Sequence, residues 1–298
     1  MGIPHKSRPF NMKPDNFINY GINWDLELAS RTEKDWEHMV GVSASSTVSI
    51  PMDEREQHLP KGERQNIGQE KMDCASRAPN NWEEATIDYL LEKDKLPLSV
   101  SKFLETNHFL EDGRPVLSDS FLSTNAKTTR QGNSLKAPLE ARRLKGLVAK
   151  SMLPQGSTFE EHHDPKRITT TLENIGKQYA QIFAFNYDRV YEVDFPVVLK
   201  KDMIVTAGYA WDSPKDGKYQ RVEYTPNHAF LTWRPKFYVF DNYEESDGDF
   251  IKDLAEDYNF MDYGYRPYLA SINAPSEPRK YVFFKDVLAA LFDKGKKW

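Results

Sequence analysis

Between residues 80 and 91 the apolar positions Trp82, Ala85, Ile87, Tyr89, Leu90 and Leu91 recur at helical spacing. Asn80 or Asn81 stands as a cap and Glu83-Glu84 fills the first turn, so an amphipathic helix is predicted there. Similar reasoning predicts a short helix from Ser118 to Ser123 capped by Ser118, and a second from Pro138 to Leu147 stopped by Gly146. A third runs from Thr171 to Ala184, capped by one of Thr169 to Thr171. From Val190 the texture changes. Val190–Leu199, Met203–Trp211, His228–Trp233 and Phe237–Phe240 are rich in Val, Tyr, Phe and Thr, and turn clusters such as Ser213-Pro214-Lys215-Asp216-Gly217 separate them. Helices first and strands afterwards, without βαβ alternation or internal repeat, predict an α+β fold with an antiparallel sheet.

The first 55 residues differ from the rest. Pro4, Pro9, Pro14 and Pro51 interrupt any pattern, and the small polar run from Gly41 to Thr47 has a linker's composition. An extended N-terminal arm over residues 1–55 is expected, followed by one unit over 56–298 with a helical lobe (56–165) and a β lobe (166–298). Phe10, Phe17, Tyr20, Trp24 and Trp36 are too many aromatics for a solvated tail, so the arm is expected to lie on its own globule or on a neighbouring protein. The tail from Tyr281 to Trp298 ends in an amphipathic stretch and a basic run, read as a solvated end.

Composition narrows the function classes. The 298 residues carry 40 Lys+Arg against 45 Asp+Glu, a net charge of −5, which is not the basic footprint of a nucleic-acid binder. No run of 18 apolar residues and no signal-peptide pattern is present, so neither a membrane span nor secretion is expected and a cytoplasmic setting, or incorporation in a virus particle, is. Gly2 followed by Ile3-Pro4 and Lys6 fits an N-myristoylation site poorly. The single cysteine, Cys74, excludes an intrachain disulfide and a multi-cysteine metal site. Glu161-His162-His163-Asp164 has metal-ligand residue types, but its Pro-bounded context predicts a solvated loop, and His5, His38, His58 and His108 lack ligand spacing. The basic run Lys136 to Lys150 reads as the wet face of a helix. No cofactor and no metal are expected.

A lone cysteine is most often a small buried hydrophobe. A catalytic thiol needs in addition a base, a group that orients the base, and donors for an oxyanion. Cys74 precedes a predicted helix, whose N-terminus favours thiolate. His228 heads the apolar run Ala229-Phe230-Leu231, and the next strand ends at Asp241-Asn242-Tyr243, so a hairpin brings an imidazole beside an amide or carboxylate.

Taken in order, Asp73-Cys74-Ala75-Ser76, Val116 to Ser123, Gly132-Asn133-Ser134 with Ala141 and Gly146-Leu147, Met152-Leu153-Pro154, Asn227-His228-Ala229 and Asp241-Asn242-Tyr243 resemble the motifs of papain-like cysteine peptidases. The resemblance spans about 170 residues and implies a bilobal papain-like fold with a β-barrel-like second half. It implies Cys74 as nucleophile, His228 as base and acid, and Asn242 as the orienting group, with Asp241 as the alternative. The oxyanion glutamine would be Gln65, in Leu59-Pro60-Lys61-Gly62-Glu63-Arg64-Gln65, or Gln69. Gly132, Asn133 and Asn227 would line the cleft. The Leu59–Gln65 run and Gly208-Tyr209-Ala210-Trp211 are also similar to distant members in bacteriophage particles.

Four departures stand out. Ala75 replaces the aromatic that commonly follows the nucleophile. Pro79 is expected to disrupt a helix begun at Cys74. Tyr243 stands in place of the Trp whose ring shields the histidine, and the family's disulfides are absent, as a reducing compartment predicts. The expected function is an endopeptidase acting on polypeptide. The alternatives are a structural virion protein that keeps the fold and docks neighbours through its arm, and an amide or acyl transferase built on the same triad.

Overall fold

A computed structural model describes residues 21–30, 48–62, 65–209, 215–220, 225–235, 237–243, 250–258 and 260–275. Expectations for residues 1–20, 31–47 and 276–298, among them most of the arm's aromatics and the basic tail, lie outside the described residues.

The helices are α1 (Trp24–Ser30), α2 (Arg55–His58), α3 (Cys74–Glu92), α4 (Leu98–Thr106), α5 (Asp119–Asn125), α6 (Lys136–Lys145), α7 (Phe159–His162), α8 (Thr170–Ile182) and α9 (Phe195–Val198). The strands are β1 (Leu110–Glu111), β2 (Arg114–Pro115), β3 (Phe183–Tyr191), β4 (Ile204–Gly208), β5 (His228–Arg234), β6 (Tyr238–Phe240), β7 (Ile251–Asp253) and β8 (Tyr263–Ile272). β1 and β2 form a small hairpin, and the other six make one sheet in the order β3-β8-β4-β5-β6-β7 with every pairing antiparallel. The fold is therefore α+β, with helices in the first half and an antiparallel sheet in the second. The sheet is open at β3 and β7, so the expected barrel is not closed.

The central helix α3 begins at Cys74, six residues before the helix predicted from periodicity, and runs through Pro79 without a break. Pro79 removes the donor that would reach the Ala75 carbonyl. Packing offsets that loss, because α3 is buried on nearly every side, against β5 and the helices of the first half. Its first turn is also closed by Ser76 and Arg77 N–H groups on the Asp73 carbonyl, at 2.8 and 3.0 Å. Further along, Glu83 receives Arg142 of α6 through two hydrogen bonds (3.1 and 2.7 Å) and the Tyr179 hydroxyl of α8 at 2.9 Å, tying three helices together. A buried carboxylate is tolerable there because the guanidinium fork and the hydroxyl satisfy it.

Two predicted elements change. Val190–Leu199 is not a strand: β3 ends at Tyr191, and Pro196, near the start of α9, suits a helical first turn and donates no ladder hydrogen bond. The arm is not wholly extended either. Residues 24–30 form α1, docked through the fully buried Glu27, whose carboxylate accepts from the Leu135 N–H (2.6 Å) and the Tyr263 hydroxyl.

Candidate active site

Cys74 is the first residue of α3 and has no solvent exposure. The Ala229 N–H, next to His228 on β5, points at its Sγ at 3.3 Å, so thiol and histidine strand meet where the helical half abuts the sheet. The helix N-terminus favours thiolate, yet the local balance goes the other way. Burial pushes the Cys74 thiol well up; the Ala229 N–H opposes this, and the carboxylates of Asp73, Glu70 and Asp241 add to the rise.

His228 Nε2 lies 2.5 Å from Asp241 Oδ1. The same oxygen accepts the Asn242 N–H at 2.6 Å, and Oδ2 meets the buried Lys252 ammonium of β7 at 2.7 Å. Burial alone would raise the Asp241 pKa; His228 and Lys252 overcome it and hold the carboxyl at about 2. The structure thus brings Asp241 to the imidazole. Asn242, the first choice from sequence, turns its side-chain oxygen to Asn81 of α3 at 3.2 Å. A β-bulge explains the exchange. Arg234 pairs with Tyr238, but Thr232 pairs with Val239, so one extra residue of β5 sits between them. Beyond it Leu231 faces Phe240, which carries Asp241 onto the face of Phe230 and His228 and Asn242 onto the opposite one. Without the bulge the parity would reverse. Tyr243 then returns to the histidine's side, its ring 5.3 Å from the imidazole.

Of the two glutamines, Gln65 is fully buried and Gln69 is exposed. The Gln65 N–H bonds the Asn242 carbonyl at 3.1 Å, and its side-chain amide donates to Glu70. Asn227 is buried just before β5, with its N–H on the Gly208 carbonyl at 3.0 Å.

Gly132 and Asn133 hold something the sequence did not signal: residues 21–23 of the arm. The Asn133 N–H bonds the Gly21 carbonyl and the Asn23 N–H bonds the Asn133 carbonyl, both at 2.9 Å, a parallel bridge. A Cβ on Gly21 would stand 2.7 Å from the Met72 carbonyl oxygen and 2.9 Å from the Cys74 sulfur, and one on Gly132 would meet Gly21 backbone at 2.1 Å. Both residues have positive φ (122° and 88°), so glycine is required sterically and conformationally. A stretch of peptide main chain therefore lies directly against the thiol.

Beneath the site, Asp73 receives Arg77 Nε at 2.9 Å and faces His162 Nε2 at 2.9 Å, and Arg77 continues to Asp119 of α5 at 2.8 Å. His162 is fully buried at the end of α7, which corrects the expectation of a solvated loop over Glu161–Asp164. Lys252, Glu70 and Gly21 escaped the sequence reading and His162 was read as solvated, because nothing local marks an inward-facing lysine, histidine or carboxylate.

No protein-family model matches the chain, and no curated protein matches it by sequence. By structure it is similar to xylellain, a cysteine protease from Xylella fastidiosa, with 14% identity, 80% of this chain and 93% of that chain covered, and a TM-score of 0.52. The chain has a papain-like fold. A structure from work on the mite allergens Blo t 1 and Der p 1 is also similar, at 11% identity, 84% and 78% coverage and a TM-score of 0.47. The similarity to xylellain lends the bacteriophage resemblance no support. On the papain-like framework the thiol lies at the head of the central helix and the histidine at the head of a sheet strand. Among the described residues no cluster of side chains could hold a metal ion, and no helix is long and apolar enough to cross a membrane.

Proposed function

We propose that the protein is a papain-like cysteine peptidase that hydrolyses peptide bonds with Cys74, His228 and Asp241. The observation that carries this reading is the junction of a helix-head thiol with a strand that carries a His–Asp pair, the chain's own peptide backbone lying against the thiol.

With Nε2 engaged by Asp241, Nδ1 is the nitrogen that exchanges protons. It takes the thiol proton as sulfur attacks the carbonyl carbon, and the negative charge moves to the carbonyl oxygen. The Cys74 backbone N–H and the Gln65 amide serve as its donors. The C–N bond then breaks, His228 gives the proton to the leaving amine, and a thioester remains. Water, deprotonated by the same nitrogen, attacks the thioester; the acid leaves and the thiol is restored. Asp241 stabilises the imidazolium in both halves, as a carboxylate does in Ser-His-Asp enzymes.

The test is hydrolysis of a fluorogenic peptide library by the full chain and by its Gly21→Leu variant, together with labelling by an epoxide thiol probe. Turnover and fast labelling that vanish in Cys74→Ala and fall sharply in His228→Ala support the reading. If neither protein cleaves any peptide, and Cys74 labels no faster than a free thiol, the reading fails.

A further inference from the structure

Glu70 lies between the oxyanion side of the site and the histidine side, and the catalytic sequence above gives it no role. Its Oε1 accepts from the Gln65 amide and from the Met72 N–H at 2.9 Å; its Oε2 accepts the Tyr243 hydroxyl at 2.5 Å. Each donor matters to the site. Gln65 carries the amide assigned to the oxyanion. Met72 is a non-glycine residue with φ 56°, two positions before the nucleophile, so its turn needs holding. Tyr243 lays its ring beside His228. The hydroxyl stays protonated as a donor, since burial and then Glu70 itself push its pKa far up. Next in sequence, Lys71 clamps the same loop from the other side, its ammonium on the carbonyls of Ile67 (2.9 Å), Gln69 (2.6 Å) and Ser157 (2.9 Å).

A carboxylate here has an electrostatic cost, because it disfavours the thiolate of Cys74 and would disfavour an oxyanion beside it. A plain loop staple could have been neutral. A neutral glutamine, however, has one acceptor oxygen and could not serve donors on both sides, whereas a carboxylate has two oxygens and about four acceptor positions.

We propose that Glu70 is a positioning residue for the hydrolytic reaction. One hydrogen of Gln65 Nε2 is fixed on Glu70, which sets the plane of the amide and hence the direction of its second hydrogen. The Tyr243 bond locks that plane to the wall of the imidazole, so oxyanion donor and base are held in one frame. The inference rests on the peptidase reading.

Glu70→Gln keeps the size and removes one acceptor oxygen. In the full chain, kcat for a fluorogenic peptide should fall about 10- to 100-fold with KM within about threefold, the pattern of an interaction made in the transition state. Affinity for a peptide aldehyde, which forms a tetrahedral oxyanion on the thiol, should fall in parallel. Alkylation of Cys74 by iodoacetamide, a displacement at tetrahedral carbon without an oxyanion, should be undiminished, and its pH profile should move to lower pH because a nearby carboxylate is gone. Tyr243→Phe should shift kcat and aldehyde affinity in the same direction by a smaller factor. An unchanged kcat in Glu70→Gln, or equal losses of turnover, aldehyde binding and alkylation with a lowered melting temperature, overturns the proposal and leaves a structural staple. Absence of turnover in every protein, parent included, is the separate result that removes the peptidase reading and this one with it.

Discussion

Asp241 Oδ1 is 2.5 Å from His228 Nε2, while the neighbouring Asn242 points away to Asn81. In the proposed mechanism the pair sets which imidazole nitrogen acts as the base and makes the orienting group an anion rather than an amide. Asp241→Ala should lower kcat by about 10²- to 10⁴-fold, by analogy with carboxylate removal in a Ser-His-Asp triad. Asn242→Ala should leave kcat within about threefold, since it loses one buried amide–amide hydrogen bond of about 1 kcal/mol that does not touch the imidazole. Steady-state kinetics on both variants decides the assignment; the reverse ranking would return the role to Asn242.

The limits of sequence reading are visible at this same hairpin. The helical half, the strand half and the positions of Cys74 and His228 follow from periodicity, capping and motif order, all of which are local signals. Asp241 against Asn242 depended on a bulge three strand positions away, between Thr232 and Arg234, and no residue there announces it. The start of α3 was misjudged because Pro79 is a local signal and the burial that overrides it is not. Gly21, Glu70, His162 and Lys252 become part of the site only through contacts distant in sequence, such as Gly21 to Asn133 and Lys71 to Ser157.

Residues 21–23 lie across the thiol and should slow its reactions. In Gly21→Leu a side chain would have to displace the Met72 backbone, so the segment must lift instead. Iodoacetamide labelling of Cys74 at pH 7 should accelerate at least about tenfold, and the midpoint of its pH profile should fall as water reaches a thiol now raised by burial. Equal labelling rates in the two proteins would show that the segment does not guard the sulfur. Leu28→Ala, at an exposed position of α1, is the matched control: it leaves residues 21–23 and their main-chain hydrogen bonds intact and should leave the rate unchanged.

The ion network under the nucleophile predicts a stability effect. Arg77 joins Asp73 to Asp119 with almost no exposure on any of the three. Replacing it by Met leaves two buried carboxylates short of their cation, and removal of one partner from such a pair typically costs about 3–5 kcal/mol. Denaturant titration of Arg77→Met should show a loss of that size, and a loss below about 1 kcal/mol would mean that solvent reaches the carboxylates.

Acid stability should fall in two stages, the upper one carried by His163 and the lower one shared by Asp241 with other carboxyls held low, Asp73 and Glu140 among them. The pKa of His163, set beside Phe159 and His162, is lowered to about 4, first by burial and then by repulsion from His162. Its unfolded value is about 6.5, so the unfolded chain binds the proton first. The contribution is complete above pH 6.5 and is lost as pH falls toward 4, on the order of 2 to 3 kcal/mol. Asp241 is held at about 2 by His228 and Lys252 against its burial. Its contribution is present above the unfolded value near 3.9 and disappears as pH falls toward 2, again about 2 kcal/mol. Stability measured by urea titration from pH 8 to 2 should therefore flatten between 6.5 and 4 in His163→Phe, whose ring can keep the stacking on Phe159. In Asp241→Asn the loss below about pH 4 should shrink by about 2 kcal/mol without vanishing, because the Asp73 and Glu140 carboxyls are held low by their own partners. If His163→Phe leaves the upper step unchanged, that step belongs to another histidine. If Asp241→Asn leaves the lower step unchanged, the carboxylate is not ionised in the folded protein, and the anionic partner of the imidazole on which the proposed mechanism depends is lost with it.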